Sequence, residues 1–440
     1  MSAIARLLLS QGIKVSGSDI KETKLIIELR NQGAQIYIGH HPANIRRANK
    51  IIYSSAIKED NPELQEAKRQ NIPCIKRAQA LVELMQEKSV ITVTGSHGKT
   101  TTASLAAWLL LQAGLRPTIA VGGILRNLDT NAYFGRGDFF VAEADESDGS
   151  FLYYQPKYSI ITNIDYEHLD YYKDFESELN TFREFIQRTK DDGCVFGCSD
   201  DINIKNILSE YKNEYLLFGL NRSADVYAEN IRMDGLNSEF DCFFKDKFIA
   251  RFHLALGGRH NISNALSVIG LGLKLGIDLK IIKMTLATYP GSQRRLEIKF
   301  NNENVLILDD YAHHPTEIKA TLETIRNLKK RVMVVFQPHR FTRTKLLLDD
   351  FGRCFNLADY IIITDIYAAN ETPLPDVNAR LIYDKIRTYT PQKIVRFLPK
   401  EEIVKHILEN IKTDDLVVTL GAGDVSRISN ELVERLKNQD

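Results

Sequence analysis

Residues 90–114 read VITVTGSHGKTTTASLAAWLLLQAG. An apolar, β-branched run, Val90 to Thr94, reaches a glycine turn, and a long apolar run without Pro or Gly follows. That order predicts strand, tight loop and amphipathic helix, the arrangement in which backbone N–H groups and a helix N-terminus hold phosphate oxygens. The loop Gly95-Ser96-His97-Gly98-Lys99-Thr100-Thr101 is a G-x-x-G-K-T. The longer Walker form would need Gly where Val93 stands. In this reading Lys99 neutralises β- and γ-phosphates and the Thr100 hydroxyl takes Mg2+. A chance glycine turn is the competing reading, and the strand–loop–helix context weighs against it.

Around this loop the 440 residues alternate short β-branched runs with helical runs, the pattern of parallel sheets with crossover helices. The fold class expected is α/β in three doubly wound, parallel-sheet domains: N-terminal Rossmann-like, central P-loop ATPase-like, C-terminal Rossmann-like. The expected boundaries are 1–88, 89–292 and 293–440, with PGSQRRLE as the second joint. Between Ala224 and Gly258 strict alternation, as in FDCFFKDKFIARFHLAL, predicts an antiparallel excursion. Lys+Arg and Asp+Glu both number 57, which argues against a strongly basic nucleic-acid surface. No apolar run reaches the ~18 residues of a membrane span. Five scattered cysteines suit reduced thiols and a cytoplasmic setting. Cys194 and Cys198 lack the further ligands a metal pair would need.

Other polar clusters follow predicted strands, where open parallel sheets bind ligands. FFVAEADESDGSFL places Glu143, Asp145, Glu146 and Asp148 there; Glu143 is the candidate for the Mg2+ of a nucleotide on Lys99 and Thr100, against the plainer reading of a solvated acidic loop. IITNIDYEHLDYY adds His168, a candidate for a second Mg2+ site. LILDDYAHHPTE carries Asp309, Asp310, Tyr311, His313 and His314, with Pro315 opening the next helix. Zinc would need more ligands than the paired His supply, so substrate positioning or proton handling is expected. VVFQPHRFTRT supplies His339, Arg340 and Arg343, two arginines suited to a carboxylate or phosphate, with a surface basic turn as the alternative. Arg294 and Arg295 at the joint are candidates for phosphate contact on domain closure.

TGSHGKTTT, EADESDGSFL, TNIDYEHLDYY, GRHNISNAL, RRLE, DDYAHHPTE and QPHRFTRT, in this order and joined by VSGSD and SSAI near the start, resemble the Mur ligase family over essentially the whole chain. The resemblance implies an ATP- and Mg2+-dependent, amide-forming ligase of peptidoglycan precursor synthesis. It would join L-alanine to the lactyl carboxylate of UDP-N-acetylmuramate through an acyl phosphate. It implies that Ser18, Asp19, Ser54 and Ser55 meet the UDP end, and that Gly95 to Thr101 bind ATP with Asn264 at the adenine. Thr100, Glu143 and His168 would be Mg2+-site residues, and Arg295 would touch phosphates. His339, Arg340, Arg343 and His314 would surround the amino acid, with His314 a candidate base. It implies no nucleic-acid or membrane partner and a monomer or homodimer.

Two departures from the family pattern stand out. The helix FESELNTFREFIQRTK offers Arg183 and no Lys before Lys190, so no carbamylated lysine is expected. Family members begin with a strand and a G-x-G-G-x-G-M-S turn, whereas this sequence starts at that Met-Ser. The expectation is a truncated or late-called start, and a chain that binds ATP but holds the UDP-sugar poorly. Rival readings are a recycling ligase that accepts a ready-made peptide, a folate polyglutamate ligase, and a nucleotide-binding protein without ligase chemistry. DDYAHHPTE favours alanine over the peptide, since the recycling enzyme usually reads DDFAHHPTA.

Overall fold

The strand ahead of the glycine loop spans Ser89–Thr94 and is buried from Val90 onward. Unbroken burial is what VITVT requires in a parallel sheet covered on both faces. A computed structural model describes residues 1–167 and 171–438 of the chain. In it Ser89–Thr94 pairs in parallel with Phe139–Glu143 on one side and Tyr158–Ile161 on the other. The sheet continues in parallel through Cys194–Cys198 and Tyr215–Gly219. On the other flank it runs through Thr118–Leu125 to a short antiparallel edge strand, Thr130–Tyr133. Among the described residues this sheet has ten strands.

Its last three strands are Val226–Asp234, Asn237–Phe244 and Lys247–Leu254. Two-residue connections allow only antiparallel returns, so they are the expected excursion. The helix after the loop, Lys99–Gln112, corrects the expectation of an amphipathic element. It is buried at Thr101–Ala107, Leu109 and Leu110, because it packs on the sheet and is covered by the helix Leu279–Ala287.

The chain's first four strands form two parallel pairs: Ser16–Asp19 with Gln35–Ile38, and Ile51–Tyr53 with Cys74–Lys76. The opening helix spans Ser2–Ser10. Most of this belongs to one compact unit, Met1–Asn230 with Phe240–Phe252 and Ser263–Pro290; Ile231–Glu239 and His253–Ile262, which include the ends of the antiparallel strands, are assigned to the other.

The remaining residues, chiefly Gly291–Asp440, form a second unit. Among the described residues its sheet has six strands, in the order Glu297–Asn301, Val305–Asp310, Asp415–Leu420, Arg331–Phe336, Tyr360–Ile363 and Ile394–Phe397. Only the first pairing is antiparallel. Alternate residues feed two cores, as period two dictates. Leu306, Leu308, Val334 and Phe336 face Ile318, Leu322 and Phe351, while Ile307, Met333 and Val335 face Ile403, Ile407 and Leu432. The sheet is therefore wound on both faces. Parallel pairing of Asp310 and Phe336 with Leu420 sends the loops after three strands out at one edge.

Phe336 anchors that edge, with ring centroids 5.5 Å from Phe351 and 5.2 Å from Phe355. Phe336→Ala is expected to cost about 3–5 kcal/mol through lost burial and a residual cavity, read as a lower denaturant midpoint for this unit.

Candidate active site

Gly95 leaves the buried strand with φ +123°, a conformation that side chains resist. A Cβ there would lie 2.4 Å from Thr162 Oγ1 and 2.7 Å from the Asn163 carbonyl oxygen. That close approach lets the loop clip onto the exit of Tyr158–Ile161. Ser96 N–H donates to the Asn163 carbonyl (3.1 Å) and His97 N–H to Asn163 Oδ1 (2.8 Å). Asp165 N–H donates to Ser96 Oγ at 2.8 Å, and His97 Nε2 lies 3.0 Å from Asp165 Oδ2. Gly98, at φ +84°, is the helix N-cap. A Cβ on it would sit 2.8 Å from Asn264 Oδ1, so Asn264 is brought against the loop.

Lys99 Nζ donates to the Gly95 carbonyl (2.6 Å) and the Ser96 carbonyl (3.2 Å), and pairs with Glu146 Oε1 at 2.7 Å. Burial opposes its charge, but Glu146, Asp145 and Glu167 outweigh it and hold the ammonium above the ordinary lysine range. Asp145 is also penalised by burial, yet Lys99, Ser147 and Arg77 keep its carboxyl below the usual range. Thr100 Oγ1 donates to Glu143 Oε2 at 3.2 Å, and Gly122 N–H holds Glu143 Oε1 at 2.6 Å. Asp148 accepts from Ser150 N–H (3.0 Å).

These features fit a nucleotide and its metal. The two cradle positions tolerate no Cβ, a lysine and a helix N-terminus converge there, and a hydroxyl and a carboxylate offer oxygen to a hard cation. His168 lies outside the described residues. Spacing alone pairs Glu146 with no partner and assigns Thr162, Asn163 and Asp165 no role in the loop. Their signal was a polar run directly after the strand neighbouring the loop strand.

In the first strands, Ser18 Oγ donates to Glu63 Oε2 (2.7 Å) and contacts His40 Nδ1 at 2.9 Å. Asp19 Oδ1 accepts from Lys21 N–H (3.2 Å), and Ser54 Oγ from Ala56 N–H (3.3 Å) in the turn that also holds Ser55. Ser18 and Asp19 thus sit at one strand end, and Ser54 and Ser55 follow another.

The second unit gathers another polar cluster. His314 is the N-cap of Pro315–Arg326, its Nδ1 accepting from Thr316 N–H (3.4 Å). Glu317 closes the capping box, its Oε2 accepting from the backbone of His313 (3.0 Å) and His314 (3.3 Å). His313 Nδ1 faces the Tyr311 carbonyl at 3.0 Å, which can only accept, so that nitrogen carries the proton. Arg343 Nη1 lies 3.4 Å from His339 Nδ1; a guanidinium only donates, so Nδ1 is unprotonated there. The His339 ring packs on His313 (5.4 Å) and stacks on Tyr367 (5.6 Å).

Desolvation pushes His313 down to about 3 and, with Arg343 and Arg340, His339 down to about 4. Both are neutral at neutral pH. Arg340 N–H donates to the Tyr367 carbonyl at 2.9 Å. The Arg294 and Arg295 guanidinia lie 5.2 and 5.1 Å from the Tyr311 ring centre. Burial pushes Asp310 up to about 6 against Arg295 and the amides of Leu296 and Ala312. Arg294 is bonded inward, to Asp309 Oδ2 (3.0 Å) and the Gly423 carbonyl (3.1 Å), a structural role the sequence reading did not assign. Two clusters therefore hold the expected residues. The loop, Glu143 and Asn264 lie in the first unit, and Arg295, His314, His339, Arg340 and Arg343 in the second.

Comparison with known proteins puts the successive parts of the chain in one lineage. Residues 1–89 match the Mur ligase family catalytic domain, 93–272 the Mur ligase middle domain, and 294–423 the Mur ligase glutamate ligase domain. The chain is 43% identical over 438 residues to a UDP-N-acetylmuramate–L-alanine ligase of Aquifex aeolicus, covering 99% of this chain and 95% of that one. It is 42% identical over 445 residues to the enzyme of the same name from Persephonella marina, covering 100% and 95%. The crystal structure of UDP-N-acetylmuramate-alanine ligase from Thermotoga maritima superposes with a TM-score of 0.87 at 28% identity, over 100% of this chain and 97% of that one. A murein peptide ligase from Psychrobacter arcticus shares the fold, with a TM-score of 0.73 at 24% identity over 100% and 96%. With three domain models in order along the α/β chain and relatives matched over nearly its whole length, the chain belongs to the Mur ligase family.

Proposed function

We propose that the protein is an ATP-dependent ligase joining L-alanine to the lactyl carboxylate of UDP-N-acetylmuramate, in peptidoglycan precursor synthesis. The observation that carries this reading is the loop itself: Lys99, Thr100 and Glu143 converge at a helix N-terminus that admits no Cβ at Gly95 or Gly98. Identity above 40% to full-length alanine ligases supports the choice of substrates. The domain limits proposed are 1–88 for the UDP-substrate domain, 89–292 for the ATP domain and 293–440 for the amino-acid domain.

In this reading the lactyl carboxylate attacks the γ-phosphorus of ATP and ADP leaves, giving an acyl phosphate. Gly95 to Thr101 orient the triphosphate, Lys99 offsets charge on the transferred group, and Asn264 meets the adenine. Thr100 and Glu143, with His168 by resemblance, would hold Mg2+, which supplies charge neutralisation between the phosphates. Arg295 touches phosphate. Ser18, Asp19, Ser54 and Ser55 meet the UDP end. Arg340 and Arg343 hold the alanine carboxylate beside His339. The α-amine then attacks the acyl carbon and phosphate leaves with the bonding electrons; His314, the candidate base, takes the displaced proton on Nδ1 once that nitrogen gives up its bond from Thr316 N–H.

The direct test is phosphate release with ATP and Mg2+. Release is expected only with UDP-N-acetylmuramate and L-alanine together. Turnover with a tripeptide but not alanine would sink the substrate assignment, and turnover with neither substrate would sink the ligase reading. Glu143→Gln keeps the shape but removes the negative charge, leaving two neutral oxygen donors. It is expected to raise the Mg2+ concentration for half-maximal rate by about tenfold or more.

A third expectation concerns pH. His313 and His339 have folded values below the ordinary 6.5. An unfolded chain therefore binds protons that the folded one refuses, and stability falls as pH drops from about 6.5 towards 4. Asp310 runs the other way in part of that window, because its folded value is raised. The His313 share is isolated by comparison with His313→Asn. That variant is expected to lose roughly 1–3 kcal/mol less than wild type between neutral pH and about pH 4.5. Chemical denaturation at both pH values checks it, and parallel losses would contradict it.

A further inference from the structure

Glu146 takes no part in the steps above, yet it is fully buried and touches the loop lysine directly. Its Oε1 lies 2.7 Å from Lys99 Nζ, and its Oε2 accepts from Thr94 Oγ1 at 3.4 Å. The Gly95 and Ser96 carbonyls complete three acceptors around Lys99 Nζ. An ammonium has three protons and no more. A phosphate oxygen can therefore gain a hydrogen bond from Lys99 only if one of these acceptors gives way. Glu146 is the one that carries charge, so it is the acceptor that contests the lysine with another anion.

We propose that Glu146 is a positioning residue that acts through Lys99. It holds the ammonium in the phosphate-free loop, competes with phosphate for it, and takes it back as ADP and phosphate leave. Binding thus becomes an exchange of one anion for another on a single buried cation. The carboxylate keeps nucleotide affinity lower than the loop alone would give, which favours product release. The inference rests on the nucleotide reading of the loop.

The test is ADP·Mg2+ affinity, measured by calorimetry, with the melting temperature of the ligand-free chain alongside. Glu146→Gln is expected to tighten ADP binding by about tenfold, the scale of one charge-assisted hydrogen bond. The same variant should melt at a lower temperature without ligand, because Lys99 loses its buried partner. In a Lys99→Met background, Glu146→Gln should leave ADP affinity unchanged. Unchanged or weaker ADP binding in Glu146→Gln overturns the proposal. Equal tightening in both backgrounds does so too, since the carboxylate would then act on the phosphates directly. Glu146→Asp, which retracts the charge by one methylene, is the second variant should the amide not fold, with a smaller tightening expected and its absence equally contrary. A wild-type chain that binds no ADP overturns the nucleotide reading, and this inference with it. Wild-type binding without tightening in the variants overturns the role of Glu146 alone.

Discussion

The close approach of Gly95 to the exit of the neighbouring strand is the constraint on which the rest of the first unit's site depends. With no Cβ, residue 95 comes within reach of Thr162 and Asn163, and the amides of Ser96 and His97 are satisfied by Asn163. Asp165 then fixes both the Ser96 hydroxyl and the His97 ring. The loop is held from its outer side by groups just past the strand Tyr158–Ile161, and from within by Lys99, the first residue of the helix it feeds, which donates to the Gly95 and Ser96 carbonyls. That helix begins at Gly98, whose own missing Cβ makes room for Asn264. Two absent methyl groups therefore set the loop's path and bring a distant asparagine to it.

The charge around the loop has a consequence for what can bind there. Glu143, Asp145, Glu146 and Asp148 all follow one strand, and Lys99 answers only part of that charge. A polyphosphate arriving alone would meet carboxylates as well as the lysine. A divalent cation held by Thr100 and Glu143 would supply the charge that turns such repulsion into ligation, which supports the proposal of Mg2+ as the nucleotide's companion. The acidic loop and the phosphate loop thus make chemical sense as a pair, where neither would alone.

Much of this was legible in the sequence because buried parallel strands announce themselves as unbroken apolar runs. VITVT, CVFGC and RVMVVF all became interior strands. The elements not foreseen are Thr130–Tyr133 and Glu297–Asn301, short antiparallel edge strands with polar residues, whose pairing depends on a neighbour rather than on their own pattern. The amphipathic reading of Lys99–Gln112 failed for a related reason: cover from a second helix is a tertiary fact. Among site residues, the loop and its lysine declared themselves through spacing. The clip by Asn163 and the pairing of Lys99 with Glu146 did not, since residues some 50 to 70 positions apart meet only once strand order is fixed.

The second unit shows how neutral histidines sharpen an arginine site. If His313 and His339 were charged, the loop would carry diffuse positive charge and hold any anion loosely. Desolvation, with Arg343 close by, keeps both rings neutral. Positive charge is then concentrated on guanidinia whose geometry matches a carboxylate. The rings add directionality instead. His313 is protonated on Nδ1 and presents a lone pair on Nε2, while His339 accepts from Arg343 on Nδ1 and presents a proton on Nε2. A ligand meeting both nitrogens needs a donor and an acceptor, beside a carboxylate for the arginines. An α-amino acid meets this with an amine that donates and a carboxylate whose two oxygens can serve the arginines and the His339 proton alike, which supports the proposal that this cluster receives the incoming amino acid.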